Sequence, residues 1–549
     1  MRRQPARFLL AAEAWWSRIA AHRSRVVFAI ALVSLGARAA LLPVLPIPKP
    51  AIQDEFSYLL AADTFAHGRL ANPTPALPEH FETLQVLMHP AYASKYPPFS
   101  GLVMALGQRV AGEPWWGVWF SAGVLCGAIC WALQGWLPAG WALAGSVIAL
   151  LKIGIVSYWS ESYWGGTCAA IGGALVIGAI PRLLERPQAA TAVAFACGLA
   201  ILANTRPYEG LVLALACAVY LAHGFWRSRE NWAQLVRRVM TPTAVVLIAV
   251  GGWMGYYNYR VTGNPLEMPY LEHERQYALW SSLFWPAHAK PKPPYSNAFL
   301  EDFWTHADAH DKLDAREHAL KTHAFDLYRL ARFFWGLPLT LFVLLCGRAL
   351  WRDRVGRAGL ILLAGFYAGV AFNLRLFPHY AAPATALVYL LGACALRTAR
   401  HSWPGSGEER IYIGWGVAAV FALVSLGSLL TADNRCLFGP IDYHVRAEWG
   451  SVMQRLHEIP GDHLILVRYG PQHEPYQELV YNGADIAHSH VIWARSISPD
   501  TDEKLIDYYR GRRVWSLSEN GDLVLKDYTP GEEKGPITTE VRFRGSGRF

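Results

Sequence analysis

Residues 26–35, 211–222, 339–346 and 411–430 are almost free of charge, and with their flanks several approach the length of a membrane-crossing helix. A hydrocarbon core of ~30 Å takes about 20 apolar residues in helical form. Lipid offers no hydrogen bonds to the backbone, so only helices and closed barrels span it. A barrel would show alternating strands of about ten residues, and the sequence has none. The chain therefore reads as an all-α polytopic membrane protein. Its 23 tryptophans and 53% hydrophobic content agree with that class.

Charge sets the orientation. Arg2, Arg3, Arg7, Arg18, Arg23 and Arg25 precede the first apolar run. Further arginines gather in short turns at 182–186, 227–238, 348–357 and 397–410. Arginine in short loops marks the cytoplasmic side, so the net charge of +8 is a topology signal and not a nucleic-acid footprint. No small-residue cleavage site follows the first run, which reads as a retained signal anchor. The expected units are a cytoplasmic segment 1–25, a membrane domain 26–432 with external loops 47–98 and 262–325, and an external α/β unit 433–549. Residues 99–111 are expected to return inward, so that 115–164 must hold an odd number of crossings. The expected total is 11 or 13 transmembrane helices. Seven cysteines lie in apolar runs and only Cys436 outside them, which excludes a disulfide framework.

The external unit shows a β-rich stretch at 463–469, a Ser498-Pro499-Asp500 cap for a helix through 502–510 with Gly511 at its end, and strands at 514–518 and 523–527 about an Asn-Gly turn.

Chemistry concentrates at the outer ends of the helices. Asp54 and Glu55 follow the first run and are the candidate catalytic carboxylates. Asp54 could cap a helix, or act as a general base toward an acceptor hydroxyl. Lys95, in Ser94-Lys95-Tyr96-Pro97-Pro98, could anchor at the headgroups or meet a phosphate leaving group. Arg206 and Arg375 sit in outer turns where the positive-inside rule disfavours arginine, and so become candidate phosphate ligands. Arg206 could equally pair with Glu209. Glu161 and Tyr163 form an aromatic-flanked acidic turn able to hold a sugar, or an ordinary aromatic belt. His306 and His310 have the spacing of a helical metal pair but lack an adjacent glutamate; His273 is a conceivable metal partner for Asp54. Walker, Rossmann and nucleophile-elbow motifs are absent.

Asp54-Glu55-x-x-Tyr58, Lys95-x-Pro97-Pro98, Thr205-Arg206-Pro207 and His379-Tyr380-x-x-Pro383, in this order and placement, resemble the GT-C superfamily of integral-membrane glycosyltransferases, in particular its protein-mannosyltransferase and lipid A aminoarabinose-transferase branches. The resemblance covers residues 26–430. It implies inverting transfer of a sugar from a polyprenyl-phosphate-linked donor to a lipid, glycan or protein acceptor on the periplasmic face of the bacterial inner membrane. Asp54 matches the family's catalytic carboxylate and Lys95 its phosphate-contacting lysine. Tyr58, His379 and Tyr380 become candidate sugar or acceptor contacts. Family members often carry arginine where Ser57 stands and an acid where Ser94 stands. A divalent metal that needs the second acid would have to turn to Glu79, Glu82 or Glu55. A secondary transporter or lipid flippase would instead want acids midway through spans and internal repeats, and a non-catalytic envelope scaffold would make no use of Asp54.

Overall fold

The computed structural model describes residues 3–549 except 404, 431–440, 471–472, 474–475, 477, 520–522, 529–540 and 544–549. Cys436, the 432/433 boundary, the Asn520–Gly521 turn and most of the stretch after 530 lie outside the described residues.

The chain opens with α1 (Arg3–Ala21), bent by 96° from α2 (Arg23–Ala40). The first loop holds α3 (Gln53–Ala66) and a two-stranded ladder of β1 (Val86–Leu87) and β2 (Ala93–Ser94), and leads into α4 (Pro98–Ala111). Then follow α5 (Trp115–Trp136), α6 (Ala139–Ala149) continued by a π turn to Gly154, α7 (Thr167–Glu185), α8 (Ala189–Ala203), α9 (Pro207–Ser228), the short α10 (Trp232–Leu235) and α11 (Thr241–Thr262). The second loop carries α12 (Pro269–Tyr277), α13 (Ala298–Asp302) and α14 (Asp308–Glu317). The bent pair α15 (Ala319–Phe334) and α16 (Leu337–Leu345), then α17 (Gly347–Arg352), α18 (Arg354–Val370), α19 (Thr385–His401) and α20 (Gly407–Leu430) complete the bundle. Proline in the first turn of α4, α9, α11, α12 and α16 costs no helical hydrogen bond, because the N–H groups there have no partner.

Cross-helix contacts set the directions. Arg23 at the start of α2 donates to the Gln134 carbonyl (3.2 Å) near the end of α5, while Trp119 donates to Leu35 (3.0 Å), so the two helices are antiparallel. Ser34 donates to Gly154 (2.6 Å), which turns the α6 run back beside α2. Ser121 meets Thr167 at 2.8 Å and Trp136 donates to Ile177 (3.0 Å), so α7 lies parallel to α5. Residues 115–164 therefore make two passes, and the expected odd number is corrected. The reason lies in α4, which does not return through the bundle. At about 1.5 Å per residue its 14 residues are too short for a core of ~30 Å. Instead it folds against α3, Gln108 donating to Asp63 (2.9 Å) and the Phe99 amide to Asn204 (3.0 Å).

Among the described residues six helices are long and apolar enough to cross a membrane, up to eight if each bent pair is one span, and apolar 139–154 and 189–203 are shorter. The sequence-based total of 11 or 13 also counts such shorter runs as spans. The most enclosed spans are α7 and α19. The turn 382–384 presses on α7 at Gly173, where an added Cβ would lie 1.9 Å from the Pro383 carbonyl oxygen, so glycine is required there.

The C-terminal unit has α21 (Ile441–Glu458), β3 (His463–Tyr469), β4 (Val491–Arg495), α22 (Pro499–Tyr508), β5 (Arg513–Glu519), β6 (Leu523–Asp527) and β7 (Val541–Phe543). The sheet order is β4-β3-β5-β6-β7, with β3 parallel to both neighbours and the β5–β6–β7 edge antiparallel. Strand alternation divides β3 between two cores. Ile465 and Val467 pack with Val452 and Leu456 of α21. Leu464 and Leu466 pack with Phe56, Phe81, Val86 and Met88 of the first loop. Ser498 caps α22 as its sequence suggests, whereas α21, β4 and β7 carry no comparable local signal. His80 bonds the Arg495 carbonyl oxygen (2.7 Å) and the Ala484 amide donates to Asp63 (2.7 Å), so the sheet is docked on the acidic loop.

Candidate active site

Asp54 sits in the first turn of α3, where the helix N-terminus favours a negative charge. Its Oδ1 accepts a hydrogen bond from the Tyr96 hydroxyl. Tyr58, one turn further along α3, stacks on Tyr96 with ring centroids 4.2 Å apart and planes 7° from parallel. Lys95 Nζ lies 5.2 Å from the ring centroids of both Tyr96 and Tyr270. Arg206, at the mouth of α9, places its Cζ 4.7 Å from the Tyr380 ring centroid. Four distant segments thus meet: the α3 N-terminus, the strand-to-helix corner before α4, and the turns at 206 and 380.

Electrostatics confirm the proximity. Burial pushes the Tyr58 phenol up to about 12, with Arg206 opposing and Asp54 and Tyr380 adding to the rise. Burial brings the Lys95 ammonium down to about 8, against the pull of Asp54. Behind Tyr380, His379 is buried, its Nδ1 3.1 Å from the Tyr158 hydroxyl, and its ring centroid is 4.8 Å from that of Trp164. Burial together with Arg206 and Arg329 holds His379 well below the usual imidazole range, so it is neutral there.

Other candidates are held elsewhere. The Glu55 carboxylate accepts from the Ala51 amide (2.8 Å) and the Tyr163 amide (3.0 Å), which makes it a cap and a tie to the turn after α6. Glu161 is bound by Arg38 through two contacts of 2.6 and 3.0 Å, both side chains buried. The Tyr163 hydroxyl donates to the Pro48 carbonyl (2.8 Å). Arg375 binds Asp311 of α14 at 2.5 Å. His273 is buried beside Tyr277 and Trp304, and burial with Lys95 and Lys312 holds it well below the usual imidazole range. His306 is exposed and pairs with Asp302 at 3.0 Å.

The two positions that depart from the family pattern touch each other. The Tyr96 amide donates to Ser94 Oγ (3.1 Å), Ser94 to Ser57 Oγ (2.8 Å), and Ser57 to the Gln85 carbonyl (2.6 Å). A divalent metal does not fit the residues present. Glu82 accepts from Tyr277, Glu55 is a cap, and Ser94 supplies only a hydroxyl already used. Among the described residues no group of three or more His, Cys, Asp or Glu could hold an ion.

Tyr96, Tyr270 and the Asp308–Lys312 pair of α14 (2.9 Å) were not singled out from sequence. The one available signal was an aromatic residue inserted between the lysine and the two prolines.

No family model matches the sequence, and no curated protein matches it. Among solved structures, ArnT from Cupriavidus metallidurans bound to undecaprenyl phosphate superposes with a TM-score of 0.50 at 15% identity, over 90% of this chain and 92% of that one. The Archaeoglobus fulgidus oligosaccharyltransferase, in complex with zinc and sulfate, has a TM-score of 0.46 at 13% identity, over 80% of this chain and 60% of that one. At such identity the likeness is one of fold. The chain is a multi-pass membrane protein with the GT-C architecture, carrying a small C-terminal sheet unit. Its similarity to ArnT extends over 90% of the chain.

Proposed function

We propose that the protein is an inverting glycosyltransferase of the bacterial inner membrane, moving a sugar from a polyprenyl-phosphate-linked donor to an acceptor hydroxyl on the periplasmic side. The observation that carries this reading is the facing of Asp54 by Lys95 and Arg206 across a wall of tyrosines. A carboxylate opposite two cations suits a reaction in which a proton is removed on one side of a carbon and phosphate leaves on the other. Asp54 takes the acceptor's hydroxyl proton, the acceptor oxygen bonds to the anomeric carbon, and the bond from that carbon to the phosphate oxygen breaks. The leaving polyprenyl phosphate gains a negative charge, which Lys95 and Arg206 stabilise. The tyrosine faces suit sugar stacking, and the neutral His379 supports Tyr380. Arg375 is left out of this step because Asp311 holds it. The fold's likeness to ArnT, whose structure holds undecaprenyl phosphate, supports the donor class. Segments 1–25, 26–432 and 433–549 are the proposed cytoplasmic, membrane and periplasmic parts.

The test is incubation of the purified full chain with radiolabelled polyprenyl-phosphate sugars and envelope acceptors. Asp54→Asn should retain the melting temperature and lose about 10²–10⁴ in rate, the range of a general base. Release of no polyprenyl phosphate with any donor, or an Asp54→Asn variant as fast as the wild type, would refute the reading.

A further inference from the structure

We infer that Tyr96 is the positioning residue for the Asp54 carboxylate, and that it does so in place of a divalent cation, so that the site operates without metal. The inference rests on the transferase reading and adds what orients its base.

The chain holds the Tyr96 hydroxyl rigidly. Its ring is stacked on Tyr58, its amide is held by Ser94 Oγ (3.1 Å), and Pro97 and Pro98 follow directly. Proline fixes its own backbone angle and restricts the residue before it. The next amide, Phe99, donates to the Asn204 carbonyl (3.0 Å), in the same turn that presents Arg206. The hydroxyl that orients the base and the guanidinium that faces it are therefore carried on one tied unit.

A hydrogen bond from a phenol to a carboxylate favours the charged form and fixes one oxygen. The other oxygen of Asp54 is then directed at the incoming hydroxyl. Tyr96 keeps its own proton throughout: burial and the Asp54 charge hold its phenol well above the usual range. A bound cation would perform the same orienting task, but the residues to hold one are missing. Ser94 stands where a second acid would be needed and is spent on the Tyr96 amide and Ser57. His273, the metal partner conceivable from sequence, feels the charges of Lys95 and Lys312, which repel a cation.

The experiment compares wild type with Tyr96→Phe, which keeps the stacked ring and removes only the hydroxyl. Expected are an unchanged melting temperature, an unchanged KM for donor and a kcat lower by about tenfold, the size of one charge-assisted hydrogen bond. Wild-type rate should survive excess EDTA. In parallel, Mn²⁺, Mg²⁺ and Zn²⁺ are titrated calorimetrically into the detergent-solubilised full chain and its Asp54→Asn variant, and the two should give the same heats. A Tyr96→Phe variant with wild-type kcat would overturn the proposal. So would loss of activity in EDTA restored by one of these metals, or metal binding that disappears in Asp54→Asn. If the wild type transfers no sugar at all, the transferase reading fails, and the titration still decides whether the site takes metal.

Discussion

Ser57 and Ser94 share a hydrogen bond of 2.8 Å between α3 and β2, although 37 residues separate them in sequence. The bond is the middle of a relay from the Tyr96 amide to the Gln85 carbonyl. Both serines are buried, and both stand where relatives of this architecture were expected to carry opposite charges. A buried charge with no partner is strongly destabilising, so losing one member of such a pair is tolerable only if the other is lost too. Two hydroxyls that satisfy each other are a stable neutral replacement.

Ser94→Ala should therefore cost about 1–3 kcal/mol, the range for a buried polar group left without its partner. It should also slow transfer, since it frees the Tyr96 amide. Ser57→Ala should cost a similar amount, and the double variant less than the sum of the two, because the shared bond is lost only once. Thermal unfolding of the three purified variants measures this coupling; strict additivity would remove the relay from the account.

Arg38 and Glu161 tie the end of α2 to the turn after α6, with Arg38 also lying 4.6 Å from the Trp115 ring centroid. Removing one partner of a buried ion pair costs about 3–5 kcal/mol, whereas replacing both with apolar residues can be neutral. Arg38→Met should lower the melting temperature sharply, and adding Glu161→Met should recover most of it. A single variant as stable as the wild type would show that the turn is held by other contacts.

Lys95 provides a pH signature. Burial brings it down to about 8, so its positive charge is present below that pH and lost as pH rises through it. In the proposed reaction the charged form is the one that meets phosphate, so kcat/KM, which reports the free enzyme, should fall on the alkaline side with a midpoint near 8. Lys95→Arg carries its charge across the whole range and should abolish this alkaline fall, whatever its absolute rate. A wild-type profile that stays flat well above that midpoint would exclude Lys95 from phosphate binding.

Arg206 and Arg375 should separate cleanly. Arg206→Ala removes a cation from the candidate site and should reduce kcat by about 10²–10³, as loss of one transition-state donor does. Arg375→Ala breaks a partly exposed pair with Asp311, which is worth about 0–1 kcal/mol. Its transfer rate should change by less than about fivefold on that energy scale. Equal losses in the two variants would mean that Arg375 leaves Asp311 when donor binds.

The apolar runs and the arginine-rich turns determined that this chain is a helical membrane protein, because hydropathy and charge act locally. The short motifs also marked Asp54, Lys95, Arg206 and Tyr380, which the fold brings together. Which polar residues remain available for chemistry was decided by tertiary structure alone. Glu55 and Asp54 are adjacent and alike in sequence, yet only the first is consumed by the Ala51 and Tyr163 amides. Glu161 is consumed by an arginine 123 residues away. Tyr96 looked like filler between a lysine and two prolines until folding set its hydroxyl against Asp54. Likewise α4 is apolar enough to suggest a crossing, and its packing against α3 and its contacts with Asp63 and Asn204 hold it at the end of the bundle. The physical reason is the same in each case: a hydrogen bond is chosen by the partner that folding supplies, and that partner is remote in sequence.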